Sequence, residues 1–184
     1  MKNILLILLV LIVSQHTFSQ NKLKVGEKAP KVNITDYLQN TPNDKSLENK
    51  YILLEFWATW CQTCLEEVPN LNKTQERFKD RKDLVFVSIT DESPEKTKKT
   101  LERVKFNSIV VSDQTRKAFN DFVADNKGEI VLPKTVLIDN KGIVRWIGKP
   151  YTINDVVINK FLEGKEILES DNSVSERPEE PTFK

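Results

Sequence analysis

Residues 56–69 read FWATWCQTCLEEVP, and this stretch holds both cysteines of a 184-residue chain. Before it, Tyr51-Ile-Leu-Leu-Glu-Phe-Trp57 is a near-continuous apolar run. Its length and aromatic content predict a strand buried on both faces, as in a parallel sheet. After it, residues 62–79 place Leu65, Val68, Leu71 and Phe78 at helical spacing. Cys61 and Cys64 therefore stand where a strand hands over to a helix. The first thiol falls at the helix N-terminus, where unpaired N–H groups and the helix dipole favour an anion.

Working outward, residues 21–50 are polar, carry Pro30 and Pro42, and read as an irregular entry with one short strand near Val32–Ile34. Leu84–Ile89 is a second buried-strand run, and Ser93-Pro94 opens a charged helix to about Lys105, with proline in the favoured first turn. Ile109–Val111 is a short strand, and Asp113 can cap a helix through about Ala124. Thr135–Asp139, the turn Asn140-Lys141-Gly142 and Ile143–Ile147 predict a hairpin. Asn154 or Asp155 can cap a last helix with Val156, Val157, Phe161 and Leu162 inward, ended by Gly164. Strand–helix alternation closed by a hairpin means an α/β fold, a central mixed sheet flanked by helices on both faces.

The ends bound the domain. Lys2 and the ten apolar residues Ile4–Val13 precede Thr17-Phe18-Ser19, the layout of a signal peptide over residues 1–19. The apolar run is about half the ~20 residues that span a bilayer, which disfavours an uncleaved anchor. Residues 20–165 form one domain. Residues 166–184 are polar and acidic, with Pro178 and Pro181, and are expected to be disordered. The 28 basic and 27 acidic residues nearly balance, so no nucleic-acid partner is implied. The one histidine, His16, lies in the leader, which excludes Ser-His-Asp and Cys-His catalysis from the mature domain.

The cysteine pair then admits few uses. Structural zinc needs about four ligands, and two thiols are present; covalent haem needs a histidine where Leu65 stands. A structural disulfide across four residues would remove only about 2 kcal/mol of chain entropy and tie nothing distant together. Redox catalysis fits best: a thiolate at a helix start attacks, and Cys64, further in, resolves the mixed disulfide. Glu55 lies on the buried strand, where an unpaired carboxyl should have a raised pKa suited to proton exchange with Cys64. Trp57 reads as core, and Trp60 as part of an apolar docking rim. Pro69 falls inside the helix, where it kinks or ends it. Pro133, after Leu132, belongs at a strand start; a trans bond is the ordinary expectation, whereas a cis bond would turn the Leu132 backbone toward an extended substrate.

FWATWCQTCLEEVPNL, the later DESPEK, LPKTVLIDNKG and the closing WIGKP resemble, in order and spacing, the thioredoxin-like superfamily, specifically exported thiol–disulfide oxidoreductases of the TlpA/ResA/DsbE type. The resemblance covers residues 25–165. It implies a thioredoxin fold with an N-terminal extension and an inserted helix. It further implies Cys61 as nucleophile, Cys64 as resolving thiol in a redox-active disulfide, Glu55 as buried acid, and Leu132 and a cis Pro133 beside Trp60 at the substrate groove. Gln62-Thr63 departs from the Gly-Pro or Glu-Pro found between the cysteines of relatives, and no lysine partner for Glu55 is evident.

The expected activity is reduction of disulfides in periplasmic or envelope proteins, apocytochrome c among them, by a monomer that needs neither metal nor organic cofactor and is recharged by a membrane thiol donor. Two alternatives stand beside it. One is a binding protein with an inert disulfide. The other is a peroxiredoxin-like peroxide reductase, which wants a threonine three residues before its cysteine and an arginine partner; residue 58 is Ala, and Thr59 is two before.

Overall fold

The computed structural model describes residues 22–125 and 127–172. The leader over residues 1–19, its cleavage after Ser19, and residues 173–184 of the tail lie outside the described residues.

Six strands form one sheet: β1 Asp36–Gln39, β2 Tyr51–Phe56, β3 Leu84–Thr90, β4 Ile109–Ser112, β5 Lys134–Ile138 and β6 Val144–Gly148, in the order β1-β4-β3-β2-β5-β6. The apolar runs of β2, β3 and β4 pair in parallel, while β1, β5 and β6 are antiparallel to their neighbours. Among the described residues four α-helices cover the sheet: α1 Gln62–Arg77, α2 Pro94–Arg103, α3 Lys117–Phe122 and α4 Asp155–Leu162.

Alternation along β2 sorts the core. Ile52, Leu54 and Phe56 point to the face packed with Phe119 and Phe122 of α3, where Phe56 meets Phe119 edge-on at 5.2 Å. Leu53 and Trp57 point to the other face, against α1 and α4 through Leu71, Val68, Ile158 and Phe161. Each such fully buried side chain contributes about 1.5–3 kcal/mol. Glu55 shares the Leu53–Trp57 face by the two-residue period of a strand. A carboxyl is thereby driven into an apolar layer by the register of its own strand.

The mixed α/β architecture matches the expectation, with differences that have local causes. The entry strand forms at Asp36–Gln39 rather than near Val32–Ile34. Val32 and Ile34 pack on the α3-side core, and pairing with β4 begins where the Thr35 N–H reaches the Ser112 carbonyl at 2.8 Å. α3 starts four residues after Asp113, because Arg116 precedes it in the left-handed region (φ 62°); Asp113 still accepts the Ala118 N–H at 2.6 Å. In α4, Asn154 is the N-cap and accepts the Val157 N–H at 3.0 Å. That start turns Val157, Ile158, Phe161 and Leu162 inward and leaves Val156, expected inside, 53% exposed. Gly164, at φ 68°, ends the helix as expected.

The tail is ordered further than residue 165. Residues Glu169–Asp171 make a 3-10 turn, Lys160 grips the Asp171 carboxylate at 2.7 Å, and Trp146 Nε1 donates to Asn172 at 3.0 Å. The expected disorder from residue 166 is thus corrected through Asn172.

Candidate active site

β2 ends at Phe56, and the chain crosses Trp57–Trp60 before α1 begins at Gln62. Cys61 is the N-cap of α1, 7% exposed, and its Sγ receives the Cys64 N–H at 3.3 Å. Cys64 is fully buried, its Sγ 4.0 Å from the Phe56 carbonyl oxygen. The two sulfurs are joined at 2.06 Å. One thiol therefore sits at the surface end of a helix dipole and the other beneath it, the asymmetry that attack and resolution require. α1 runs through Pro69 without ending there.

Glu55 is completely buried on the layer that α1 covers. Its Oε2 receives only a long 3.5 Å bond from Ser88, which shares a 2.7 Å bond with Ser108; its Oε1 has no partner among the described residues. Burial, then the negative charge of Glu67, push the Glu55 pKa up to about 8, against a small lowering by Ser88. The carboxyl is thus protonated at neutral pH and close to its titration point, as a proton carrier should be. No lysine bonds to it among the described residues. A second acid stands where a cation would otherwise be.

That second acid was not singled out from the sequence. Glu67 lies three residues after Cys64, on the same buried face of α1, and is bonded to Asn70 Nδ2 at 3.1 Å. The spacing from Cys64 was the available signal, since residues three apart share a helix face.

Glu92, quoted only as part of DESPEK, is given no role by the sequence reading. It is buried at the mouth of β3, accepts the Thr59 N–H at 2.6 Å and the Thr59 hydroxyl at 3.0 Å, and pairs with Lys96 at 2.6 Å. This carboxylate ties down the loop that leads into Cys61. Between Thr59 and Cys61, Trp60 projects outward, 65% exposed, over a cleft of about 600 Å³ shared with Glu92, Lys96, Arg116 and Ile130. Trp57 is core, 5.0 Å from the Phe106 ring. For peroxide chemistry the neighbours are differently engaged: Thr59 turns its hydroxyl to Glu92, and Arg116 pairs with Asp91 at 3.1 Å.

Across the site, the Leu132–Pro133 peptide is cis, as the resemblance implied and against the ordinary expectation for a proline. Pro133 is buried, Leu132 packs against both the Trp57–Cys64 cluster and the α3-side core, and Val131 before it is 53% exposed. The register that sets Phe56 opposite Lys134 brings this segment to the cysteine end of the sheet. Among the described residues no cluster of three or more Cys, Asp or Glu could hold a metal.

Residues 25–147 match the model of the AhpC/TSA family. The chain is 28% identical over 125 residues to the thiol-disulfide oxidoreductase ResA of Bacillus thuringiensis, covering 68% of this chain and 69% of that one. It is 28% identical over 124 residues to the thiol:disulfide interchange protein DsbE of Haemophilus influenzae, covering 66% and 64%. The solved thioredoxin domain of a thiol-disulfide oxidoreductase from Bacteroides vulgatus superposes with a TM-score of 0.54 at 27% identity, covering 67% of this chain and 86% of that domain.

Proposed function

The chain belongs to the AhpC/TSA family and is a thiol–disulfide oxidoreductase, and from that premise we propose that it works outside the cytoplasm as a reductant of disulfides in envelope proteins. The observation that carries the mechanism is the stacking of three groups: Cys61 at the helix start, Cys64 buried behind it, and Glu55 buried on the same layer. In the reduced protein the Cys61 thiolate attacks one sulfur of a substrate cystine. That S–S bond breaks, the departing sulfur takes a proton, and Cys61 is left in a mixed disulfide. The ionised fraction of Glu55, which titrates near pH 8, accepts the Cys64 proton as Cys64 attacks the Cys61 sulfur, and the carboxyl so formed can hand that proton on to the leaving substrate sulfur. The second substrate thiol leaves and takes a proton in turn. Two electrons have passed from the dithiol to the substrate, and the Cys61–Cys64 bridge remains.

Export is supported by the pattern of residues 1–19, and among the described residues no helix is long and apolar enough to cross a membrane. In an oxidising compartment a membrane-bound dithiol must return the electrons. Apocytochrome c is a substrate of the right chemistry, because haem attachment needs its cysteine pair reduced. Leu132, beside Pro133, offers the backbone groups for an extended segment, and Trp60 offers the apolar rim. The protein acts as a monomer, with neither metal nor organic cofactor.

Trapping tests this reading. Cys64→Ala leaves the mixed disulfide unresolved, so envelope proteins should accumulate as reducible adducts of Cys61. Envelope extracts without any adduct would instead favour a binding protein with an inert bridge.

A further inference from the structure

Among the described residues, three buried polar atoms without a hydrogen-bond partner gather on the sheet face that α1 covers: Glu55 Oε1, Trp57 Nε1 and Thr135 Oγ1. Strand register explains the meeting of two of them. The antiparallel pairing of β2 with β5 sets Thr135 directly opposite Glu55, and the parallel pairing of β2 with β3 sets Ser88 on the other side. On β6 the residue opposite Thr135 is Gly148, which has no side chain. One row across the sheet therefore runs Gly148, Thr135, Glu55, Ser88, and Ser88 continues it to Ser108 through a 2.7 Å bond. Thr135, Glu55, Ser88 and Ser108 are all fully buried.

Directly opposed residues share a face and hold their Cβ atoms about 4.5–5.5 Å apart, so side-chain rotation brings the Thr135 hydroxyl to the Glu55 carboxyl. The row offers Thr135 no other polar side chain, and Ser88 is already engaged with Glu55 Oε2 and Ser108. A hydroxyl accepts from a protonated carboxyl and donates to an ionised one by turning its O–H. The bond to the ionised form is roughly twice as strong, so the hydroxyl favours the form that takes the Cys64 proton. Glu67 from α1 acts against that form, and Cys64, also on α1, titrates only once the bridge is open. The other helices packed on this layer meet it with apolar side chains, Leu101 of α2 and Ile158 of α4 among them. We propose that Thr135 is a positioning residue for the exchange: its hydroxyl donates to Glu55 Oε1 and holds the carboxylate ready for the Cys64 proton, an inference that rests on the proton role given to Glu55 above.

The test follows Glu55 itself and then the step it serves. In the oxidised protein, where neither cysteine titrates, the infrared carbonyl band of the protonated carboxyl is identified by its loss in Glu55→Gln and followed against pH. Thr135→Val keeps the side-chain shape and removes the donor, so the midpoint should rise by about one pH unit, while Thr135→Ser should stay at the wild-type value. Reduced protein is then mixed with dithiobis(nitrobenzoate). Cys61 expels one thionitrobenzoate, and Cys64 closes the bridge and expels the second, giving up its proton to Glu55. The second release at pH 7 should slow about tenfold in Thr135→Val and recover above the raised midpoint, whereas a packing defect would slow it at every pH. Wild-type protein supplies a check that needs no variant: the Thr135 methyl resonance should titrate with the Glu55 midpoint. An unmoved midpoint in Thr135→Val, an equal rise in Thr135→Ser, or a flat methyl resonance would overturn the role of Thr135 and leave the exchange reading intact. A wild-type Glu55 that titrates at the ordinary glutamate value would overturn its proton role as well.

Discussion

Cys61→Ala is expected to slow insulin disulfide cleavage by about three orders of magnitude or more, because it removes the nucleophile and not an accessory group. Cys64 is no substitute. It is fully buried behind Cys61, and an incoming cystine would have to displace the first turn of α1 to reach it. The variant should fold, since the bridge it deletes closes only four residues and is worth about 2 kcal/mol in the oxidised state. Activity is read by insulin turbidity and folding by near-ultraviolet circular dichroism. A variant with unchanged turnover would remove Cys61 from the mechanism; a variant that fails to fold would show that the bridge is chiefly structural.

Glu55→Gln should have the next largest effect, and on two readouts. Turnover near neutral pH should fall by about a hundredfold, the usual contribution of a positioned proton carrier, and the rate should lose its dependence on a group titrating near pH 8. Stability should move the other way. In the unfolded chain Glu55 releases its proton near the ordinary value of 4.5, whereas burial and Glu67 hold the folded value near 8. Between those values unfolding releases a proton, so the wild-type stability contribution is complete below about pH 4.5 and is lost as pH rises toward 8. A shift of this size corresponds to something on the order of 5 kcal/mol. Glutamine has the same shape and no proton to lose, so urea midpoints of the variant should stay flat across that window and exceed wild type above it. Parallel curves for the two proteins would contradict the buried, neutral carboxyl.

The glutamate pair also explains why the usual picture of a buried acid with a cationic partner does not transfer. A lysine beside Glu55 would favour the carboxylate and lower its pKa; Glu67 does the reverse. Both acids are buried on the layer where α1 covers the sheet, and their mutual repulsion keeps Glu55 titrating near neutral pH, where it can take up and release a proton.

What could be read in advance follows from the range of the interactions. β2 and α1 declare themselves by local period, and with them the placement of both cysteines and of Glu55, since register alone sends residue 55 to the Leu53 face. The cis bond at Leu132–Pro133 came only from resemblance, because nothing local distinguishes it from a trans proline at a strand start. Glu92 escaped notice because an acid in a polar loop reads as solvated; its burial depends on Thr59, 33 residues away. The order of residues 166–172 depends likewise on Lys160 and Trp146, partners that composition does not reveal. Val156 illustrates the limit of apolar counting: which valine faces inward was set by where Asn154 starts the helix.

The idea on which everything turns is a sulfur made acidic by its place at the head of α1. Alkylation of the reduced protein by iodoacetamide across a pH series, with each cysteine followed by peptide mass, measures it directly. Cys61 should react with a midpoint clearly below the ~8.5 of an unperturbed thiol and at least about tenfold faster than Cys64 at pH 7. Two thiols reacting at equal, slow rates with ordinary midpoints would contradict it.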